Sequence, residues 1–252
     1  MKIALVTGVS KGLGESIAKL FLESGIHVFG VSRNINTRLE KVAKTNTVNF
    51  HHYSCDLGKT SEMAQTVELI TKDITTYNPT VIYLVNNAAM IEPINRVMEL
   101  DHQSLSDHFQ LNAVAPMFLM NQLLKFATSL NTSFIGVNIT SGAAERPIFG
   151  WSAYCSSKAS INMYTQTAAL EQDVLKTGHK IIAFNPGIMD TNMQETIRSS
   201  AKEAFAEVDK FKGYKENNQL RHTETVGGVL IDILNDEASI ENGKIYHVNE
   251  YF

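Results

Sequence analysis

The chain has 252 residues, 44% of them hydrophobic, and a net charge of −4. That length suits one large α/β domain, able to bury a sizeable core without crosslinks. The mildly acidic balance, with no basic cluster, argues against a nucleic-acid partner, and no apolar run approaches the roughly 20 residues of a membrane span.

Residues 2–7 (KIALVT) predict a short buried strand. They lead straight into a glycine turn and lack the cationic region and cleavage site of a signal peptide. The turn holds Gly8, Ser10, Lys11, Gly12, Leu13 and Gly14, and residues 15–22 continue with helical periodicity through Ile17, Ala18, Phe21 and Leu22. A helix N-terminus offers free N–H groups and the positive end of its dipole, which suits a pyrophosphate. Glycines let the backbone turn tightly and come close to it.

Residues 27–32 (HVFGVS) predict a second strand, ending at Ser32 and Arg33 rather than at an acid. An Asp or Glu there would bind a ribose 2′-hydroxyl. A guanidinium instead grips a phosphate, so Arg33, with Lys11 nearby, predicts NADP(H) over NAD(H). Residues 48–54 predict a third strand, running into Cys55, Asp56 and Leu57; residues 61–77 predict a helix closed by Pro79. Residues 81–85 are a further buried strand followed by Asn86-Asn87-Ala88-Ala89.

Residues 104–125 carry a long helical pattern that includes Asn112, and Pro116 predicts a kink close to it. Residues 133–140 predict a strand that delivers Ser141 at its C-terminal end, where open α/β sheets bind ligands. Residues 154–177 predict a helix. Tyr154 and Lys158 then lie on one face, a turn apart. A free phenol has a pKa of about 10, and a neighbouring ammonium lowers it, so the pair predicts proton exchange with a substrate oxygen. Cys155 points about 100° away from Tyr154 on such a helix and reads as a small buried apolar residue. With Cys55 it indicates reduced thiols and a cytoplasmic setting rather than a disulfide framework.

Residues 179–184 predict a sixth strand, followed by Asn185-Pro186-Gly187-Ile188-Met189-Asp190-Thr191. Residues 188–220 are mostly polar and helix-prone, with apolar anchors at Met193, Ile197, Phe205, Val208, Phe211 and Tyr214, and predict a substrate-binding lid. A helix over residues 225–234 and a strand over 244–248 complete the chain. Alternating strands and helices without repeat or linker predict a single Rossmann-type domain over residues 1–252. Its expected form is a doubly wound, parallel, seven-stranded sheet with helices on both faces.

The spacing T-G-x-x-x-G-x-G at Thr7–Gly14 resembles the first motif of the short-chain dehydrogenase/reductase family. So do N-N-A-A at Asn86–Ala89, Asn112, Ser141 with Tyr154 and Lys158, and the Pro186-Gly187 turn, in family order over the whole chain. Within the family, the stretches 149–158, 189–194 and 197–200 most resemble benzil reductases that form (S)-benzoin, themselves similar to sepiapterin reductases. The resemblance implies a catalytic set of Asn112, Ser141, Tyr154 and Lys158. It implies adenine contacts at Asp56 and Leu57, and cofactor contacts at Asn86, Asn87, Ala88, Tyr154, Lys158, Pro186, Gly187, Met189 and Thr191. Asn112 is expected to hold a water linked to Lys158. The resemblance also implies a homodimer or homotetramer and assigns no metal.

Phe149, Trp151, Met189 and Met193, with Met90 and Ile91, are candidate walls of a substrate pocket, since rings and thioethers adapt to bulky apolar ligands. The expected substrate is a bulky, neutral, apolar or aromatic 1,2-diketone, reduced with NADPH. A 3-oxoacyl thioester, a pterin side chain or a sugar ketone stays open, as does a non-catalytic NADPH sensor.

Overall fold

The computed structural model describes all residues, Met1–Phe252. Seven strands form one fully parallel sheet: β1 (Lys2–Thr7), β2 (His27–Ser32), β3 (Phe50–Ser54), β4 (Val81–Asn86), β5 (Ser133–Ile139), β6 (Lys180–Asn185) and β7 (Ile245–His247). Their spatial order is β3-β2-β1-β4-β5-β6-β7. The chain order reverses between β1 and β4, and that switch point opens a crevice above the strand C-termini.

The period-2 alternation of strand side chains sorts the core into two layers. Ala4 and Val6 of β1 join one cluster with α1 (Gly12–Glu23), α2 (Thr37–Thr45) and α9 (Thr223–Asn235). Ile3 and Leu5 point the other way, against α3 (Thr60–Thr75), α5 (Ala115–Ser129) and α6 (Ser152–Leu175). Both faces are covered, which is why the inner strands read as continuous apolar runs.

The predicted helix over 104–125 is in fact two. α4 (His102–Phe109) passes through a π turn, Gln110–Val114, into α5. The expected kink is therefore a π turn enclosing Asn112, with Pro116 directly after it in the first turn of α5. The third and seventh strands are shorter than their sequence patterns, because only Phe50–Ser54 and Ile245–His247 find ladder partners.

Residues 188–220 hold α7 (Asn192–Arg198) and α8 (Val208–Glu216). Ile197, Phe205, Val208 and Phe211 from this segment form a third core cluster with Ile91, Ile148, Trp151 and Tyr154. Trp151 stacks on Phe205 at 4.8 Å with the rings 9° from parallel. Gly150 makes this contact possible: its φ is +82°, and a side chain there would strike the Ala204 carbonyl.

Candidate active site

The crevice is a cleft of about 1170 Å³ running from the C-terminal end of β2 to α7 and α8. One end is the glycine turn. Thr7 closes it from below, its hydroxyl accepting the N–H groups of Asn87 (2.9 Å) and Ala88 (3.0 Å). Asn87 Nδ2 donates to Thr7 O at 2.9 Å. Asn36, not singled out by the sequence, caps α2 and donates Nδ2 to the carbonyls of Val9 and Ser10, both at 3.3 Å.

The turn fits a dinucleotide pyrophosphate. Lys11 gives α1 no side-chain cap, so the first N–H groups of the helix stay free. A side chain at Gly12 would project into open space, its first neighbour being Thr191 Cγ2 at 3.8 Å across the cleft. Gly8, Ser10, Lys11, Gly12 and Leu13 line this part; Ser32, Arg33, Asp56 and Leu57 continue the wall past β2. Arg33 and Lys11 form no ion pair with any carboxylate of the chain.

At the other end, Ser141 lies just beyond β5 in extended backbone (φ −160°), and its hydroxyl accepts from the Ala143 N–H at 3.2 Å. Tyr154 and Lys158 reach the same cleft from the first turns of α6. Lys158 Nζ donates to the Ile139 carbonyl at 2.8 Å and lies 5.8 Å from the Tyr154 ring centroid. The electrostatics run against the expectation from spacing. Burial pushes the Tyr154 phenol up to about 12, with the Ser141 hydroxyl pulling it back, and burial pushes the Lys158 ammonium down to about 8. Removal from water sets the direction of both shifts.

Asn87, Ala88, Pro186, Gly187, Met189 and Thr191 also line the cleft, as do Trp151, Met193 and Ile91. Four expected site residues and one further pocket candidate do not. Phe149 is 53% exposed and outside it, because the turn at Gly150 sends the neighbouring side chain, Trp151, inward. Asn86 is buried beneath the sheet end, where Nδ2 donates to Pro116 O and Asn138 Oδ1, both at 3.0 Å. Gly14 serves packing: a side chain there would meet the Gly8 carbonyl and the Asn87 amide. Asn112 is 1% exposed. Its Oδ1 accepts from Met90 N–H at 2.9 Å and its Nδ2 donates to Met90 O at 2.7 Å. Met90 is thus held by its backbone, and Ile91 beside it is the residue that faces the cleft.

Arg221 is a cleft residue that the sequence did not flag. Its backbone pairs with Met189, its Nη1 donates to Asn249 Oδ1 at 2.8 Å, and its guanidinium lies 5.0 Å from the Phe252 ring centroid. It staples the C-terminal segment to the Pro186-Gly187 turn from 34 residues further along the chain, so no local motif marks it.

A family model described as short chain dehydrogenase matches residues 2–202. The chain is 39% identical over 251 residues to a benzil reductase ((S)-benzoin forming) of Bacillus subtilis (strain 168), covering 100% of both chains. It is 34% identical over 250 residues to the Bacillus cereus protein of that description, covering 99% of this chain and 100% of the other. Among solved structures, a short-chain dehydrogenase/reductase from Saccharomyces cerevisiae superimposes with a TM-score of 0.83 at 28% identity, covering 99% of this chain and 96% of that one. With Ser141, Tyr154 and Lys158 gathered at one end of a dinucleotide cleft, this chain belongs to the short-chain dehydrogenase/reductase family and is an oxidoreductase that works with a nicotinamide cofactor on a small carbonyl substrate.

Proposed function

We propose that the protein reduces apolar or aromatic 1,2-diketones to hydroxyketones with NADPH. The observation that carries this reading is the apolar wall around the proton donor. Ile91, Ile148, Trp151, Met193, Ile197 and Phe211 line the cleft beside Tyr154, and such a wall suits a bulky, uncharged ligand. The full-length similarity to benzil reductases supports the same substrate class.

When bound, the nicotinamide supplies the hydride. Everything else falls to the chain. The glycine turn and the start of α1 hold the pyrophosphate, and Arg33 with Lys11 receives the 2′-phosphate. Ser141 donates a hydrogen bond to the substrate oxygen as negative charge grows there. Tyr154, held protonated by burial at neutral pH, releases its proton to that oxygen. Lys158, largely charged at neutral pH even with its lowered pKa, stabilises the resulting phenolate. Asn112 positions this machinery through Met90. Residues 188–220 close the substrate side and exclude water. An adjacent second carbonyl withdraws electrons and makes the first a better hydride acceptor. The hydroxyketone product lacks that activation, so reduction stops there.

A second reading has one observation in its favour. Arg146 and Arg221 also line the cleft, and Arg221 has no carboxylate partner, which suits an anionic carbonyl substrate such as an acyl thioester carrier or a 2-oxo acid. Chiral chromatography of the products from benzil decides between them. Benzoin in excess of the diol supports the diketone reading. No benzoin, with fast turnover of an acetoacetyl thioester in the same preparation, overturns it.

A further inference from the structure

Behind the catalytic face lies a titratable group with no place in the chemistry above. His108, at the end of α4, is 0% exposed. Its ring stands edge-on to Tyr154, with centroids 6.2 Å apart and planes 79° apart. Nδ1 lies 2.6 Å from the Glu92 carbonyl oxygen. Only a protonated Nδ1 can make that contact, since a carbonyl oxygen offers no hydrogen.

The other nitrogen must then be an acceptor in the neutral ring. Nε2 lies 3.0 Å from Asn112 Nδ2 and 2.9 Å from Ser157 Oγ. Asn112 cannot turn its amide round, because Oδ1 accepts from Met90 N–H and Nδ2 donates to Met90 O. Its second amide hydrogen therefore goes to His108. Ser157 Oγ carries a single hydrogen and has two acceptors in reach, Nε2 and the Tyr154 carbonyl at 3.0 Å, so the hydroxyl shares that hydrogen between the ring and α6. One imidazole thus joins three pieces of the site. They are the 90–92 segment whose Ile91 faces the substrate, the π turn holding Asn112, and the first turns of α6 that carry Tyr154 and Lys158.

We propose that His108 is a positioning residue for hydride transfer, acting as a neutral Nδ1–H imidazole that locks Asn112 and the Ile91 wall in register with the catalytic helix. The proposal rests on the oxidoreductase reading and is independent of which carbonyl compound is reduced. Protonation of Nε2 would set two donors, the ring N–H and the Asn112 amide, against each other. Asn112 would lose a bond and the register would loosen. The charged and titratable groups facing the ring are Lys158 and Tyr154 on α6 and the Glu92 carboxylate. Burial, with the Lys158 charge adding to it, holds the imidazole below its ordinary value, and the Glu92 contacts oppose this. The lock therefore holds at neutral pH and opens in acid.

Two variants and one spectrum test this. His108→Gln keeps a donor and an acceptor at the ring positions but cannot titrate. His108→Leu keeps bulk and loses both. Rates are read on the most rapidly reduced member of a panel of benzil, 1-phenyl-1,2-propanedione and ethyl benzoylformate, so a failure of benzil alone counts against the substrate reading and not against this one. His108→Leu should lower kcat about 10- to 100-fold with the Kd for NADPH within about twofold, the size of loss expected from misplaced catalytic groups. His108→Gln should keep kcat within about threefold of the parent near pH 8 and lose less activity than the parent as the pH falls towards about 5. The nitrogen NMR spectrum of the parent imidazole should show the neutral Nδ1–H tautomer near pH 7, a reading that requires no variant to fold. An Nε2–H or charged ring near pH 7, an unchanged kcat in His108→Leu, or parallel acid limbs in the parent and His108→Gln would each overturn the proposal.

Discussion

The Lys158 ammonium nitrogen sits 5.8 Å from the centre of the Tyr154 ring, one helical turn along α6, with both side chains almost wholly buried. Burial dominates the pair, and its consequences can be measured.

The depressed Lys158 pKa is a cost to folding. A base whose folded pKa lies below its unfolded value penalises the native state fully below the folded value, and the penalty fades as pH rises towards the unfolded one. From the ordinary lysine value of 10.5 to about 8, the penalty at pH 7 is about 3 kcal/mol. Lys158→Met removes it but gives up the hydrogen bond to Ile139 O, worth about 1 kcal/mol. The variant should therefore melt ~4–8 °C higher near pH 7, with the gap closing between about pH 8 and 10.5, while losing nearly all turnover. Calorimetry of cofactor-free protein across that pH range checks both signs.

Tyr154→Phe should abolish reduction by a factor of about 10²–10⁴ and leave NADPH binding intact. The ring keeps its edge-on contact with Trp151 (5.4 Å, 74°), so the melting temperature should hold. A variant within about threefold of the parent rate would exclude Tyr154 as the acid.

Arg33→Asp should move cofactor preference from NADPH towards NADH. The carboxylate would repel a 2′-phosphate and accept from the ribose 2′-hydroxyl. The measurement is kcat/KM for each cofactor. Equal or better use of NADH by the parent would remove Arg33 from the phosphate site.

Gly150→Ala should loosen the lid. The substitution forces a side chain onto a left-handed backbone and against the Ala204 carbonyl, at about 1–3 kcal/mol. The Trp151–Phe205 stack should open, so KM for the ketone should rise and tryptophan fluorescence should shift to the red. The protein has a single tryptophan, so the signal is unambiguous.

Self-association is expected through α6. Met163, Leu170 and Val174 are 64%, 61% and 72% exposed there and recur at helical spacing. Light scattering at micromolar concentration should give a multiple of the 28.0 kDa chain mass, and charged residues at positions 163 and 170 should reduce it to the monomer.

The strands and the glycine turn were legible because their signals are local: alternation, apolar runs and residues suited to positive φ. Ser141, Tyr154 and Lys158 could be read in the same way, from a strand end and a helical spacing. Direction was harder. Asn86 and Asn87 are adjacent, yet only the second faces the cleft, because the alternation of β4 continues through its last residue. Phe149 and Trp151 are two residues apart, and the positive φ of Gly150 decides which turns inward. Spacing suggested that Lys158 lowers the Tyr154 pKa, but spacing holds no information about depth, and burial reverses the sign. Asn112 and Arg221 depend on partners 22 and 28 residues away, beyond any local pattern.

The central place of β1 bears on how the protein is made. β1 precedes both of its neighbours, β2 and β4, in the chain, and the second of these pairs through Val81–Val85. The sheet then grows outward to β7, which pairs with β6 only from Ile245 onward. Such distant parallel pairings are slow to close, and a nascent chain leaves the ribosome with unpaired edges exposed until late in synthesis. α9 packs in the same core layer as α1, behind the glycine turn, so a chain cut back before Thr223 should be inactive and should need chaperone protection to stay in solution.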